Sequence, residues 1–351
     1  MKKLVAFLLC VAVLGCASCK KSDSSRKALS GSDASSSSAD GSGAENNGQS
    51  DPDASAPIAI NGENFGSSAF RDTLRQNFDI NTDGFLDAGE IAEIKVLDIH
   101  SDVRVFSVKG LEHLTALEEL RFNGYRDDGK FAVVEDLDVS QNTELRKLEI
   151  SYAGLTTLDL SHNAKLEVLC VNNNEITELE LSGCPELTSL DCEYNKIAKL
   201  DLSNNPKLRR LSCGSPNLTT LDLSCCPDLE EFQILKSPIE NLKMNHPKLL
   251  LFWCTECALT SLDLTLCPAL QDLVCEGNPN LASLVIGNNP NLLYVDCARN
   301  ALKELDLSSC VNLQDLNCVS NPLEYVKLSS NLDYRMHERF QYDPGTHLYW
   351  E

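Results

Sequence analysis

Basic side chains are scarce in this chain: 30 Lys and Arg stand against 52 Asp and Glu, leaving a formal charge of −22 over 351 residues. Nucleic acids are held through clustered cations, so this balance weighs against them, and against adsorption to anionic lipid by charge alone. Aromatic residues make up only 6%, so a core has to come from aliphatic side chains and thiols. The six histidines are scattered and never pair in phase with a nucleophile. That absence removes the usual acid–base and nucleophile pairings and points away from an enzyme. A bilayer-spanning helix needs about 20 apolar residues, and the apolar run Leu4 to Leu14 falls short of it.

What the chain has in quantity is a repeat. It is clearest as LTSLDCEYNKIAKLDLSNNPK, Leu187 to Lys207. Each unit carries an LxxLxC segment, an Asn or Cys turn, an LxLS segment and a second Asn or Cys turn. A fixed period of this kind predicts a solenoid, because no unit can bury its own apolar edge without neighbours. The strand centres are Ile99, Phe122, Ile150, Val171, Cys192, Cys213, Ile234, Cys254, Cys275, Cys297 and Cys318. Most steps are 21 residues, with one of 20, one of 22, one of 23 before Phe122 and one of 28 before Ile150. The long step leaves Tyr125 to Phe131 as an expected edge loop. A second apolar column runs from Leu158/Leu160 to Val326/Leu328. Two columns in so short a unit leave no room for a helix. The expectation is a mainly β solenoid, a curved stack of about ten or eleven short coils with parallel strands about 4.8 Å apart.

These residues resemble the leucine-rich repeat pattern LxxLxLxxNxL and, in detail, the cysteine-bearing repeats of the internalin J type in bacterial surface proteins. The resemblance covers about two-thirds of the chain, residues 97–331. It implies a curved leucine-rich repeat domain engaged in surface binding or adhesion, and no particular ligand.

Thirteen of the 16 cysteines lie in the repeat region. In-register parallel neighbours hold their Cβ atoms near about 4.8 Å, longer than the roughly 3.5–4.5 Å that a disulfide needs. Val171 and Ile234 fill the slot of Cys192 and Cys213, so a buried thiol ladder is expected, with disulfides or metal as the alternatives. In the turns, Cys257 takes the place of Asn174, Asn195, Asn300 and Asn321, while Cys184, Cys226, Cys267 and Cys310 alternate with Asn142, Asn163, Asn205 and Asn289. An inward Asn bonds the orphaned backbone groups of a tight turn. Cys226, His246 and Cys267 on successive rungs suggest a metal cluster without a fourth ligand, and turn capping is the stronger reading.

Lys2 and Lys3 followed by the apolar run read as an export signal over residues 1–15. Val13-Leu14-Gly15-Cys16 resembles the bacterial lipoprotein box, which implies cleavage before Cys16 and lipid on its sulfur. Residues 16–57 are rich in Ser, Asp and Gly, with almost no large apolar side chain. Such a stretch cannot offset its ordering entropy and should form a tether with a reach of roughly 35 Å. The expected location is the bacterial cell envelope, at the outer membrane or cell surface, with the lipid as the one membrane link.

Residues 58–96 hold a loop matching the EF-hand pattern: Asp79, Asn81, Asp83, the Phe85 carbonyl, Asp87 and Glu90 stand at ligand spacing, with Gly84 at the sharp turn. Phe70, Leu74 and Phe78 predict a helix before it, and an Asp87–Glu90 capping box one after it. One calcium ion in a structural role is expected, on a helical hairpin covering the first coil. The resemblance to internalin-like proteins implies an EF-hand-like cap at this place. Residues 332–351, with Phe340, Tyr342, Leu348, Tyr349 and Trp350 around Asp343-Pro344-Gly345, predict an aromatic hairpin sealing the far end.

Residues beside the inward Leu and Cys point out on the strand face. There Leu235, Leu251, Trp253, Val274 and Tyr294 fall on consecutive coils, an exposed apolar group among charges, as interaction sites often are. A protein partner is the first expectation, and a glycan stacking on Trp253, Tyr294, Tyr152 and Tyr194 is the alternative. The chain is expected to act as a monomer. On the opposite side, Asp159, Glu180, Asp201, Asp222, Asp263 and Asp306 form an acidic column expected to be solvated, with weak cation binding as the lesser reading.

Overall fold

The computed structural model describes residues 56–100, 105–124, 133–135, 137–332 and 338–351. The export signal, Cys16, nearly all of the tether and the Tyr125–Phe131 loop lie outside the described residues.

The described chain opens with β1 (Ile58–Ala59), α1 (Ser68–Asn77), β2 (Phe85–Leu86) and α2 (Ala88–Glu93). Helix α1 buries Phe70 and Leu74 on one face and packs against the first strand of the solenoid. The predicted capping box starts α2: Asp87 Oδ1 accepts from the Glu90 N–H at 2.8 Å, and Glu90 Oε2 from the Asp87 N–H at 3.1 Å. Strand β2 lies within the loop and pairs antiparallel with β1, so it ties the loop to the start of this segment.

From Val96 onward each coil contributes one strand to a twelve-stranded, wholly parallel main sheet. Its members are β3 (Val96–His100), β5 (Glu119–Asn123), β7 (Lys147–Ser151), β8 (Val168–Cys170), β9 (Ser189–Asp191), β10 (Arg210–Cys213), β11 (Glu231–Leu235), β12 (Leu251–Thr255), β14 (Asp272–Val274), β16 (Tyr294–Asp296), β18 (Asp315–Asn317) and β20 (Phe340–Gln341). The register agrees with the repeat alignment, including its irregular steps. Phe122 pairs with Ile150 across the long step, Phe232 with Phe252 across the short one, and Leu273 with Val295 across the step of 22. Each slip therefore falls in a turn, since a slip within a strand would exchange the two faces.

The far side of each coil is mostly extended chain. Short pairings occur there between β4 (Val105–Ser107) and β6 (Val133–Glu135), between β13 (Ser261–Asp263) and β15 (Ser283–Val285), and among β17 (Glu304–Leu307), β19 (Tyr325–Leu328) and β21 (His347–Trp350). No long helix separates the two sides among the described residues.

The expected C-terminal hairpin is not formed. Strand β20 pairs parallel with β18, and β21 pairs parallel with β19, so residues 338–351 make one more coil rather than an antiparallel seal. Phe340 and Leu348 take the two inward slots that Leu occupies elsewhere, and the Asp343-Pro344-Gly345 turn connects the two sides of the coil instead of folding one strand back on the other.

The core is a continuous aliphatic and sulfur interior. Leu190, Leu211, Leu273 and Leu316 are buried in the column of the first strand leucine, and Phe232 stacks on Phe252 with centroids 5.3 Å apart. All thirteen cysteines among the described residues are free. Burial holds the thiols of Cys192, Cys213, Cys254, Cys275 and Cys297 well above their ordinary range and pushes Cys318 to about 12. They act as small hydrophobes and weak donors, not as nucleophiles.

Two turn columns differ in what they ask of a side chain. In the first, Asn174 Oδ1 accepts from the N–H groups of Ala153 and Leu155, while Nδ2 donates to the carbonyls of Ile150 and Val171. Asn195, Asn278, Asn300 and Asn321 likewise both accept and donate. In the second column, Asn142, Asn163 and Asn205 each donate twice, and their Oδ1 atoms are buried without a partner. A slot that needs only a donor accepts Cys184, Cys226 or His246 equally well. Cys226 Sγ points to the Asn205 carbonyl at 3.8 Å, and His246 Nε2 lies 3.2 Å from the Leu223 carbonyl. The Cys226–His246–Cys267 rungs are turn caps, and among the described residues no group of three or more His, Cys, Asp or Glu side chains forms a metal cluster.

The acidic column has a turn role beyond the solvated face expected of it. Asp159, Asp201, Asp222, Asp263 and Asp306 each accept the N–H of the Ser or Thr two residues on, at 2.9–3.1 Å, and Glu180 does the same with Ser182. These are Asx-type caps in which the carboxylate replaces a missing backbone acceptor. The backbone N–H bond is the main cause that holds Asp159, Glu180, Asp222 and Asp263 below their ordinary range.

Candidate functional site

The outer face of the main sheet presents alternate residues of each strand, because successive side chains point to opposite sides. On β12, Phe252 and Cys254 are fully buried while Leu251, Trp253 and Thr255 face out and are half-buried. Across the sheet, Gln233 pairs with Trp253, Trp253 with Val274, and Val274 with Asp296. Leu251 pairs with Asp272, and Asp272 with Tyr294. The structure thus places Leu251 and Trp253 on β12, Leu235 at the end of the adjacent β11, and Tyr294 two strands on at β16, with Asp272 of β14 between.

Val274 is a correction to the expected patch: it is 2% exposed. It does lie on the outer face, but it sits in register between Trp253 and Asp296 of the flanking strands and is covered there. It supports the patch from beneath and offers no contact surface.

The Trp253 indole donates from Nε1 to Asp272 Oδ1 at 2.9 Å. Tyr294 lies 3.5 Å through its hydroxyl from Asp296 Oδ2. Asp296 also accepts from the Ala298 N–H and from Asn317 Nδ2. Burial raises the pKa of both Asp272 and Asp296, and of the Tyr294 hydroxyl. A second group lies toward the N-terminal side. Asp191 accepts from Asn172 Nδ2 at 2.5 Å, and Cys170 Sγ lies 3.6 Å from the same oxygen. Beside it, Glu193 is pushed up to about 8 by burial first and the neighbouring Asp191 second.

Asp191, Glu193, Glu276 and Asp296 also lie along this face, and nothing in the sequence marks them as covered. Their burial arises from the turn that follows each strand. The second residue after most strand centres adopts a left-handed conformation, as at Tyr152 (φ 56°), Tyr194 (φ 54°) and Arg299 (φ 58°), and Gly277 takes the slot with φ 74°. That turn brings side chains such as Tyr194 and Arg299 up beside the strand-end acids.

In the loop 79–90, Asp79 and Glu90 are largely buried. Asp79 accepts the N–H groups of Asp83 and Gly84, Asn81 Oδ1 that of Asp83, and Asp83 Oδ1 that of Phe85. Glu90 Oε1 reaches back to the Ile80 N–H at 2.8 Å, closing the loop on itself. The oxygen donor set suits a hard cation, and two acids here are buried without an ion pair to any described cation. The same carboxylates are occupied with backbone donors, and they do not form a preassembled acid cluster.

The leucine-rich repeat family model, in its two-copy form, matches residues 164–205. No curated protein sequence matches the chain. Among solved structures, an internalin (InlF) from Listeria monocytogenes is 19% identical, covers 83% of this chain and 97% of its own, and superposes with a TM-score of 0.60. A leucine-rich repeat protein of Leptospira interrogans is 18% identical over 73% of this chain and 74% of its own, with a TM-score of 0.53. The functional domain of the internalin InlJ from Listeria monocytogenes, described as including a cysteine ladder, is 21% identical over 78% of this chain and 77% of its own, but superposes at only 0.41. The first two likenesses show the fold: a leucine-rich repeat solenoid.

Proposed function

We propose that this chain is an envelope-anchored binding protein whose strand face engages another protein. The observation that carries the reading is Trp253: a large aromatic side chain held half-exposed on the outer face of a regular sheet, between the fully buried Phe252 and Cys254. Large aromatics in this setting supply most of the binding energy of protein interfaces. Leu235, Leu251 and Tyr294 extend the surface, and Val274 supports it from below. Attachment through a lipid on Cys16 would leave the solenoid tethered outside the membrane, and among the described residues no helix is long and apolar enough to cross one.

A structural calcium ion in the loop 79–90 belongs to the same proposal. Asp79, Asn81, Asp83, Asp87 and Glu90, with the Phe85 carbonyl, would hold it and fix the cap against the first coil. A glycan ligand is the second reading, favoured by the ring of Tyr194, which is 45% exposed beside the strand face. Screening the full chain against a protein array and a glycan array in parallel separates the two. Protein capture that depends on Trp253 supports the first reading, and capture by sugars alone refutes it.

A further inference from the structure

The acids of the strand face are treated differently along its length. At the N-terminal end they carry their own cations: Glu149 faces Lys147 at 2.9 Å and Arg121 at 3.3 Å. Toward the C-terminal end, Asp315 is met by Arg339 at 3.3 Å. Between these, Glu231 pairs with Arg210 at 3.2 Å and Glu276 with Arg299 at 2.9 Å, whereas Asp191, Glu193, Asp272 and Asp296 make no ion pair with any described Lys, Arg or His, Arg299 acting on Asp296 only at longer range. Their hydrogen-bond partners are neutral: an amide, a thiol, an indole, a phenol and backbone N–H groups. Glu193 Oε1 is buried with no partner at all.

Desolvated carboxyl groups without a cation destabilise the fold, and replacing them with apolar or amide side chains would remove that cost. Asp191 and Asp296 do cap the N–H two residues on, but an asparagine oxygen accepts that bond as well, so the fold does not demand a charge here. An incoming cation would satisfy them, and the aromatic rings beside one of the two pockets suit a guanidinium, which stacks as well as pairs.

Resting on the reading that the strand face binds protein, we propose that the partner presents an extended segment with two cationic side chains, one entering the Asp191–Glu193 pocket and the other the Asp272–Asp296 pocket beside Trp253 and Tyr294. The two pockets are four strand steps apart, β9 to β14, or about 19 Å. An extended segment covers that distance in about six residues. Arginine fits the second pocket better than lysine, because Trp253 and Tyr294 offer it ring faces.

Protonation supports the geometry. In the free protein Glu193 takes up a proton near neutral pH, since its pKa lies at about 8. The titratable groups around it are Asp191, Cys192 and Tyr194 of its own coil and Cys213 of the next, and none of them is a cation at neutral pH. An entering cation would expel that proton, so binding should release protons and strengthen as pH rises toward 8.

The test is calorimetric titration of the full chain, in low salt, with a capped peptide of two arginines six positions apart on a Ser/Gly background. Replacing both arginines by citrulline, which keeps shape and loses charge, should weaken binding at least tenfold. E193Q and D272N should each weaken it several-fold, and E193Q should flatten its rise with pH. D222N, on the opposite side of the solenoid, should leave it unchanged. The citrulline comparison uses the unaltered protein, so it decides even if a variant fails to fold. Equal affinity for the citrulline peptide, no binding at millimolar arginine peptide, or equal effects of D222N and E193Q would overturn the proposal. A protein ligand lost with W253A but indifferent to E193Q and D272N would sink the cation pockets alone and leave strand-face binding standing.

Discussion

Trp253 and Asp272 are joined across neighbouring strands by a 2.9 Å hydrogen bond from the indole Nε1 to Oδ1. The bond fixes the ring on the outer face and gives a partly desolvated carboxyl its donor. Trp253→Phe keeps a ring and removes the donor, so it should destabilise the fold by about 1–2 kcal/mol. Once Asp272→Asn has removed the charge, the same change should cost less. Chemical denaturation of the two single variants and the double variant measures the coupling, expected at about 0.5–2 kcal/mol. Strict additivity would show that the bond contributes nothing.

Glu193 makes stability depend on alkaline pH. Its folded pKa of about 8 lies above the ordinary glutamate value, so the folded state binds the proton more tightly than the unfolded chain. The resulting stabilisation is complete below the unfolded value and is lost as pH climbs through about 8. E193Q should therefore raise the melting temperature at pH 9 by a few degrees relative to the parent and narrow that difference toward pH 5. The same difference at both pH values would place the carboxyl in ordinary solvent.

The exposed turn acids act in the opposite direction. Asp159, Glu180 and Asp222 have lowered pKa values, so their capping contribution is present above the unfolded value and disappears as pH falls through the depressed one. Acid unfolding should begin below about pH 4.

The two turn columns should respond differently to the same substitution. Asn163→Cys keeps a donor in a slot where Oδ1 already has no partner, and should cost under about 1 kcal/mol. Asn174→Cys removes the acceptor of two buried N–H groups, and should cost about 2–4 kcal/mol. Denaturant melts of the two variants read the difference directly, and equal costs would refute the distinction.

Calcium should raise the melting temperature of the full chain, and Glu90→Ala should abolish the rise. Glu90 both closes the loop onto Ile80 and caps α2, so the variant should also melt lower without metal. An unchanged melting curve on adding millimolar calcium to the parent would end the assignment.

The register of the solenoid was legible because its period is short and its two apolar columns never lapse, so even the irregular steps could be assigned to turns. The final coil was not legible, since aromatic residues stand where the repeat has leucine and only Phe340 and Leu348 keep the spacing. Val274 lies on the correct face, but exposure on a sheet depends on the size of cross-strand neighbours, here Trp253 and Asp296, which one strand alone does not reveal. The Asp-x-Ser spacing behind the turn caps was visible and is a recognisable Asx signal. Burial of Glu193 and Asp191 was not, because it depends on turns that bring Tyr194 and neighbouring coils against them.

Binding through the strand face is tested most directly by the affinity of a captured protein ligand for the parent and for Trp253→Ala. The variant should lose more than about 1 kcal/mol, roughly fivefold or more in Kd, while folding as the parent does. An unchanged Kd in a folded Trp253→Ala protein would contradict it.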